Sequence, residues 1–379
     1  MPSITQRRGR AARAPRFFET SIGPANLRRA DPSERLVRLR LVAILAACGS
    51  SLIASAGAAA YPWPVKPFNK QHAVRANFGD PRTIFQMPLF QGGIDGPGDF
   101  NFHNGIDISA PDGTAVYPVV SGTVRRLQPL ELSVETADGR TFQYVHIVPV
   151  VQLGDQVVAR HTIVGYVART YGHVHLTELR GTHVWNPLAK GGVGPYRDTI
   201  KPTIASITLR PWRELQDIDP LGVCGTVSIV AETFDTPQLR VRGTFAGFHV
   251  APAFVTWALR RAVTGKVAVQ TTTVADFRQT LPTPSEFWKV YARGTYQNAP
   301  RFGARQYSLM PGRFIYELTP AGFDTRKLAN GVYQISVRAS DIRGNARTAS
   351  QRFTVVNQAG TPTGCPMTSP PAPPALPSP

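Results

Sequence analysis

The spacing of apolar residues limits this chain to β-structure. From about Pro64 to Trp185 they come in short runs cut by turns, and few segments keep a helical period over a useful length. The segment LSVETADGRTFQYVHI (132–147) is two strand-like runs around Ala137, Asp138, Gly139 and Arg140. An Asp-Gly pair between such runs is a strong short-range hairpin signal. TAVYPVVSGTVRRL (114–127) alternates in part, with a break at SGT. GDQVVARHTIVGYV (154–167) reads as another short pair, and HVHLTEL (173–179) closes the region. The 33 glycines and 34 prolines among 379 residues agree, since both break long helices.

Beyond Asp198–Pro202, which reads as a linker, the chain returns to strands: IASITLRP, GTVSIVAETF, and finally GVYQISVRASDIRGNARTASQRFTVVN, turning at Asp341–Gly344. Such alternation suits an antiparallel sandwich with one face buried. The stretch 236–330 is less regular and reads as insertions between strands. The expected organisation is a leader (1–60), an antiparallel β-domain (61–197), a linker (198–203), a β-sandwich (204–358) and a proline-rich, extended tail (359–379).

Residues 1–60 read as an export signal. Arg35, Arg38 and Arg40 lead into LVAILAACGSSLIASAGAAA, a basic flank, an apolar core and small residues that suit signal peptidase. Leu45-Ala46-Ala47-Cys48 resembles a lipobox, so lipidation at Cys48 and an uncleaved anchor are the alternatives to release. The expected location is periplasm, cell envelope or outside the cell. No internal stretch reaches the ~20 continuous apolar residues of an ordinary membrane span. Export permits disulfides. A bridge between Cys224 and Cys365 would tie the two ends of the sandwich; two free thiols are the alternative.

The net charge of +18 raises the question of a nucleic-acid partner. Its distribution answers it. The leader holds ten basic and three acidic residues, 61–200 hold twelve and eleven, and 201–379 hold twenty and ten. The first domain is thus nearly neutral, and no basic, aromatic-interleaved motif appears, so nucleic acid is not expected. The excess in 201–379 suits an acidic wall polymer or membrane surface.

Chemistry concentrates in the histidines. One motif is His103-Asn104-Gly105-Ile106-Asp107, a second is His173-Val174-His175, and His146 follows Tyr144-Val145 at a strand end. In a strand, residues i and i+2 share a face, so His173 and His175 project together. Two imidazoles and a carboxylate form a familiar zinc set with one position left for water or substrate. A lone His-x-His is ordinarily just solvated; the weight here lies in the combination. His72, His161, His183 and His249 read as structural or solvated.

Taken together, His-x-x-x-Asp, a histidine after an aromatic in a strand, and then His-x-His resemble the lysostaphin/LytM-type zinc endopeptidases. The flanking segments FGDPR (78–82), HNGIDISAPDGTAVYPVVSGTV (103–124) and GHVHLTELR (172–180) followed by Asn186-Pro187 are similar to that family too. The resemblance covers about 75–190. It implies a small antiparallel β-fold with a groove. It implies zinc held by His103, Asp107 and His175, with His146 and His173 as catalytic histidines. The implied activity is hydrolysis of peptide bonds in peptidoglycan stems or cross-bridges. The alternative is a non-catalytic wall-binding relative that regulates another hydrolase. One departure is the glycine-rich loop 87–100, a lid or a passive turn. The second domain resembles immunoglobulin-like modules of exported proteins, with the role of a wall-positioning element or spacer.

Overall fold

The computed structural model describes residues 60–85, 98–242, 246–298, 311–358 and 365. The leader with Cys48, most of the loop 87–100 and the tail other than Cys365 lie outside them. The described chain is all-β, built of antiparallel sheets with one four-residue α-helix, Phe287–Val290. Among the described residues no helix is long and apolar enough to cross a membrane.

In the first half, His173–Arg180 is an interior strand of the main sheet. It lies between Ile106–Ser109 on one side and Arg140–Val145 on the other. The sheet continues through Glu131–Thr136 and Gly122–Gln128 to Gln156–Val157. The hairpin at Asp138-Gly139 forms as its sequence demands: Gly139 takes φ 79, a left-handed conformation that glycine adopts without a Cβ clash. Phe142 and Tyr144 alternate with half-buried neighbours, and together with Val134, Ile108 and Leu176 they fill the core. The segment 154–167 is not a pair with itself. Gln156–Val157 joins Gly122–Gln128, whereas Gly165–Val167 joins a small sheet with Ala115–Val116 and Ile147–Pro149. The turn held by Val158 O, which accepts from His161 N and Thr162 N, leads the two strands apart.

The second half is two four-stranded sheets. One joins Thr203–Pro211, Thr226–Phe234, Ile315–Glu317 and Phe323–Asp324; the other runs Val267–Asp276, Phe254–Arg261, Gly331–Ser340, Ala346–Val355. The last two strands pair without a register break, and Tyr333, Ile335, Val337 and Ala339 alternate inward. Cys224 and Cys365 form a disulfide across a sequence separation of 141 residues.

The irregular stretch 236–330 does two things the sequence did not reveal. It supplies a central strand of the second sheet, Phe254–Arg261, and it carries the seam between the halves. Tyr291 Oη donates to Gly79 O (2.7 Å), Ala251 N to Asp80 Oδ1 (2.6 Å), and Asn186 Nδ2 to Phe277 O (2.7 Å). Phe102 packs against Phe277, Phe287 and Tyr291, with ring centroids 5.4–5.9 Å away. Gly79 must be glycine: φ is 92, and a Cβ there would collide with the Phe277 ring. Residues 198–203 are also held down, by Asn345 Nδ2 on Asp198 O (2.9 Å) and Arg347 Nε on Pro202 O (3.0 Å). Gly57–Pro379 accordingly forms one compact unit.

Candidate metal centre and groove

The register of the central strands brings the two motifs together. Asp107 lies directly opposite His175 across the ladder, and Val145 opposes His175 on the other side. His103, just past the strand Gly98–Phe102, is fixed by backbone bonds to its neighbours: its N–H donates to Asp80 O (2.8 Å), and Gly79 N donates to its carbonyl (2.9 Å). Asp112 accepts from Thr170 N (2.7 Å) and Gly172 N (2.9 Å), clamping the turn that delivers Tyr171 and His173. Those two bonds hold the exposed Asp112 carboxyl below its ordinary value.

His103, Asp107 and His175 converge. Their facing atoms, His103 Nε2, His175 Nδ1 and Asp107 Oδ1, are separated by 2.8, 3.0 and 3.1 Å. His103 Nδ1–H must donate to Asn77 O (2.9 Å), because a carbonyl only accepts; its Nε2 therefore points a lone pair inward. His175 Nε2 lies 2.8 Å from Thr177 Oγ1, and in the tautomer whose Nε2–H donates to that hydroxyl the Nδ1 lone pair faces His103 Nε2 and Asp107 Oδ1. These three groups could hold a cation. Two neutral imidazoles and one carboxylate, each oriented by an outer hydrogen bond, suit zinc. Burial drives the His103 imidazole down to about 4, helped by Arg82, so the neutral, ligating form prevails at neutral pH. Burial pushes the Asp107 carboxyl up, but His103 and His173 outweigh it and hold it well below the usual range.

His173 and His146 stand beside this set. His173 Nδ1–H donates to Tyr171 O (2.8 Å), and its Nε2 lies 3.5 Å from Asp107 Oδ1. His146 has φ 66, a left-handed conformation uncommon for a side-chain-bearing residue, and half-buries its ring. That ring stacks on Tyr171 (4.3 Å between centroids) and leans on His173 (4.5 Å). Burial, then the neighbouring His173, lowers His146 to about 3; burial, with Arg75, lowers His173 to about 4. Both are neutral bases at pH 7.

A groove runs through the centre. A hollow of about 610 Å³ lies on one side and one of about 650 Å³ on the other, and Arg82, Asp107 and His146 border both. The second half supplies wall: Phe248, Gln297 and Asn298 on the first side, Pro284 on the second. Gln297 is locked to the first half by a reciprocal pair, with Thr83 N donating to its Oε1 (2.9 Å) and its own N–H to Thr83 Oγ1 (3.0 Å).

Sequence reasoning missed several members. Thr177 was legible, since 173, 175 and 177 share one strand face. So was Gly105, where a Cβ would meet Leu176 O and the His175 ring. Arg75, Tyr171 and the second-half wall carry no local signal. The remaining histidines lie elsewhere: His161 and His183 are exposed, His72 bonds Pro67 O, and His249 stacks on Phe234.

No family model matches the chain, and no curated protein matches it. Similar solved structures include the SpoIIQ–SpoIIIAH pore-forming complex, at 20% identity over 35% of this chain and 90% of that one, TM-score 0.26. Another is a zinc-containing peptidase from Vibrio cholerae, at 22% identity over 32% of this chain and 36% of that one, TM-score 0.24. A third is the catalytic domain of the prophage-encoded M23 protein EnpA from Enterococcus faecalis, at 27% identity over 27% of this chain and 82% of that one, TM-score 0.20. With TM-scores this low, the site is read from its own geometry.

Proposed function

We propose that this chain is an exported, zinc-dependent endopeptidase that hydrolyses peptide bonds in peptidoglycan stems or cross-bridges. The observation that carries this reading is the convergence of His103 Nε2, Asp107 Oδ1 and His175 Nδ1 beside two further neutral histidines. Zinc in that set supplies Lewis acidity, acidifying water and polarising a carbonyl. His173 and His146 would do the proton work. The Nε2 of His173 is the basic atom, because its Nδ1–H is committed to Tyr171 O. His146, stacked on Tyr171, borders both hollows, where a peptide's developing charge would lie. Room on both sides of the centre supports internal cleavage, because the peptide can continue in either direction. The basic excess of residues 201–379 supports attraction to acidic wall polymer or membrane surface.

The test is direct. The chain from residue 61, loaded with zinc, is incubated with purified sacculi, with and without chelator, and released fragments are identified by mass spectrometry. Chelator-sensitive peptide fragments are expected. Bound zinc with no fragments would overturn the enzyme and leave a wall-binding regulator.

A further inference from the structure

The two sheets of the sandwich differ in how they treat charge. Around the sheet of Thr203–Pro211, Arg210 pairs with Asp217 at 2.8 Å and Arg313 with Glu232 at 2.9 Å. On the other sheet Tyr333, Ile335, Val337 and Ala339 are buried, so Gln334, Ser336 and Arg338 point outward. Register extends that outer face across three strands. Arg260, Gln334 and Arg352 stand in one row, Ser336 and Ser350 in the next with their Oγ atoms 3.0 Å apart, and Arg338 and Thr348 in a third. Arg260, Arg338 and Arg352 are exposed. Arg260 Nη1 donates to a neutral acceptor, Gly265 O, at 3.4 Å. Among the described residues no carboxylate pairs with any of the three. The four strands hold a single carboxylate, Asp276, and Arg278 takes it at 2.6 Å. Nor does any exposed large apolar side chain lie on these strands.

We infer that this outer face docks a phosphodiester-linked polymer of the cell wall through Arg260, Arg338 and Arg352. Charge complementarity carries the inference: the three guanidiniums make a positive field, and their planar forks fit phosphate oxygens. Gln334, Ser336, Ser350 and Thr348 lie between them and offer hydrogen bonds to the hydroxyls of a polyol or sugar backbone. Spacing selects the polymer. Arg260 and Arg352 are two strand widths apart, ~9.5 Å, and Arg338 lies four residues along from their row, ~13 Å. Cations this sparse match one anion per repeat of a phosphodiester chain better than a carboxylate on every sugar ring. A bilayer is a poorer match, because surface binding to lipid needs buried apolar area beside the charge. The two halves form one compact unit, so a polymer held on this face keeps the groove at the wall.

This inference deepens the proposed attraction of residues 201–379 to an acidic surface, and its assay does not depend on cleavage. Binding of the full chain to poly(glycerol phosphate), to polygalacturonate and to phosphatidylglycerol vesicles is measured over a range of salt. The phosphodiester polymer should bind tightest. Arg260→Gln, Arg338→Gln and Arg352→Gln combined should weaken that binding at least about tenfold and reduce its salt slope by about two to three, near one per arginine. A control removes the same charge from exposed arginines of the same half that lie off these strands, Arg213→Gln, Arg240→Gln and Arg242→Gln; it should keep most of the binding. The leader is common to all three proteins and cancels in the comparison. Equal loss in the two triple variants, or full binding kept by the first, overturns the docking face. Tighter binding to polygalacturonate or to vesicles overturns the choice of polymer. Polymer binding by a chain that releases no fragment from sacculi supports the face and counts against the endopeptidase alone.

Discussion

In the sandwich, Thr233 Oγ1 donates to Thr203 O (2.7 Å), Thr295 Oγ1 to Ile315 O (3.0 Å) and Thr325 Oγ1 to Gly225 O (3.0 Å). Each of these buried hydroxyls is matched to a carbonyl, and each match favours the fold. In the first half, three buried groups able to hold a cation, His103, Asp107 and His175, face one another at 2.8–3.1 Å. The contrast teaches where to look for function: where the matching of donors to acceptors stops while packing stays dense.

Substitutions should widen the contrast or erase it. The largest effect belongs to the ligands. His103→Ala, Asp107→Ala or His175→Ala should reduce zinc stoichiometry from one to near zero and abolish turnover, read by metal analysis and fragment release. His173→Ala should keep its zinc and lose about 10²–10⁴-fold in rate; an undiminished rate would sink its assigned role.

Next comes the sandwich staple. Cys224→Ser should cost about 2–5 kcal/mol and lower the denaturant midpoint, because the bridge spans 141 residues. A change below half a kcal/mol would show that the tie to Cys365 contributes nothing.

Two effects of opposite sign appear with pH in the metal-free chain. His103 and His173 (about 4) and His146 (about 3) lie below their usual 6.5 because of burial. As pH falls from about 6.5 to 4, the unfolded chain takes up protons that the fold refuses, and stability is lost. Asp235 runs the other way. Burial raises it to about 8, and the nearby Asp198 and Asp341 add to the shift. As pH rises from about 4 to 8 the unfolded chain releases a proton that the fold keeps, so stability falls. Asp80, raised by burial to about 7, acts in the same sense. Above about 6.5 only the aspartates act, and Asp235→Asn should flatten that limb in urea midpoints. An unchanged limb would remove Asp235 from the account.

The smallest effect is a control. Arg125 and Glu135 pair at 2.7 Å but are 60% and 45% exposed, so breaking the pair should shift stability by no more than about 1 kcal/mol.

What the sequence made legible was local. The Asp138-Gly139 hairpin and the 331–355 hairpin were readable because a turn residue and a period of two suffice to specify them. The shared face of His173 and His175 followed from the same period. His146 in the groove did not, since its left-handed backbone breaks the alternation. Nor did the seam: Phe277 and Tyr291 reach Gly79 across about two hundred residues, and no window of sequence records that contact. Arg75 was invisible for the same reason, lying 98 residues from the histidine it touches.

At Gly79 and Asp80 the seam is one peptide unit thick. Gly79 and Asp80 bind His103 with their backbone on one side, while Gly79 O and Asp80 Oδ1 accept from Tyr291 and Ala251 on the other. His103, a proposed metal ligand, and the sandwich therefore share the same two residues. On heating, no interval should exist in which the sandwich has melted and the proposed turnover persists; thermal inactivation and thermal unfolding should trace a single curve.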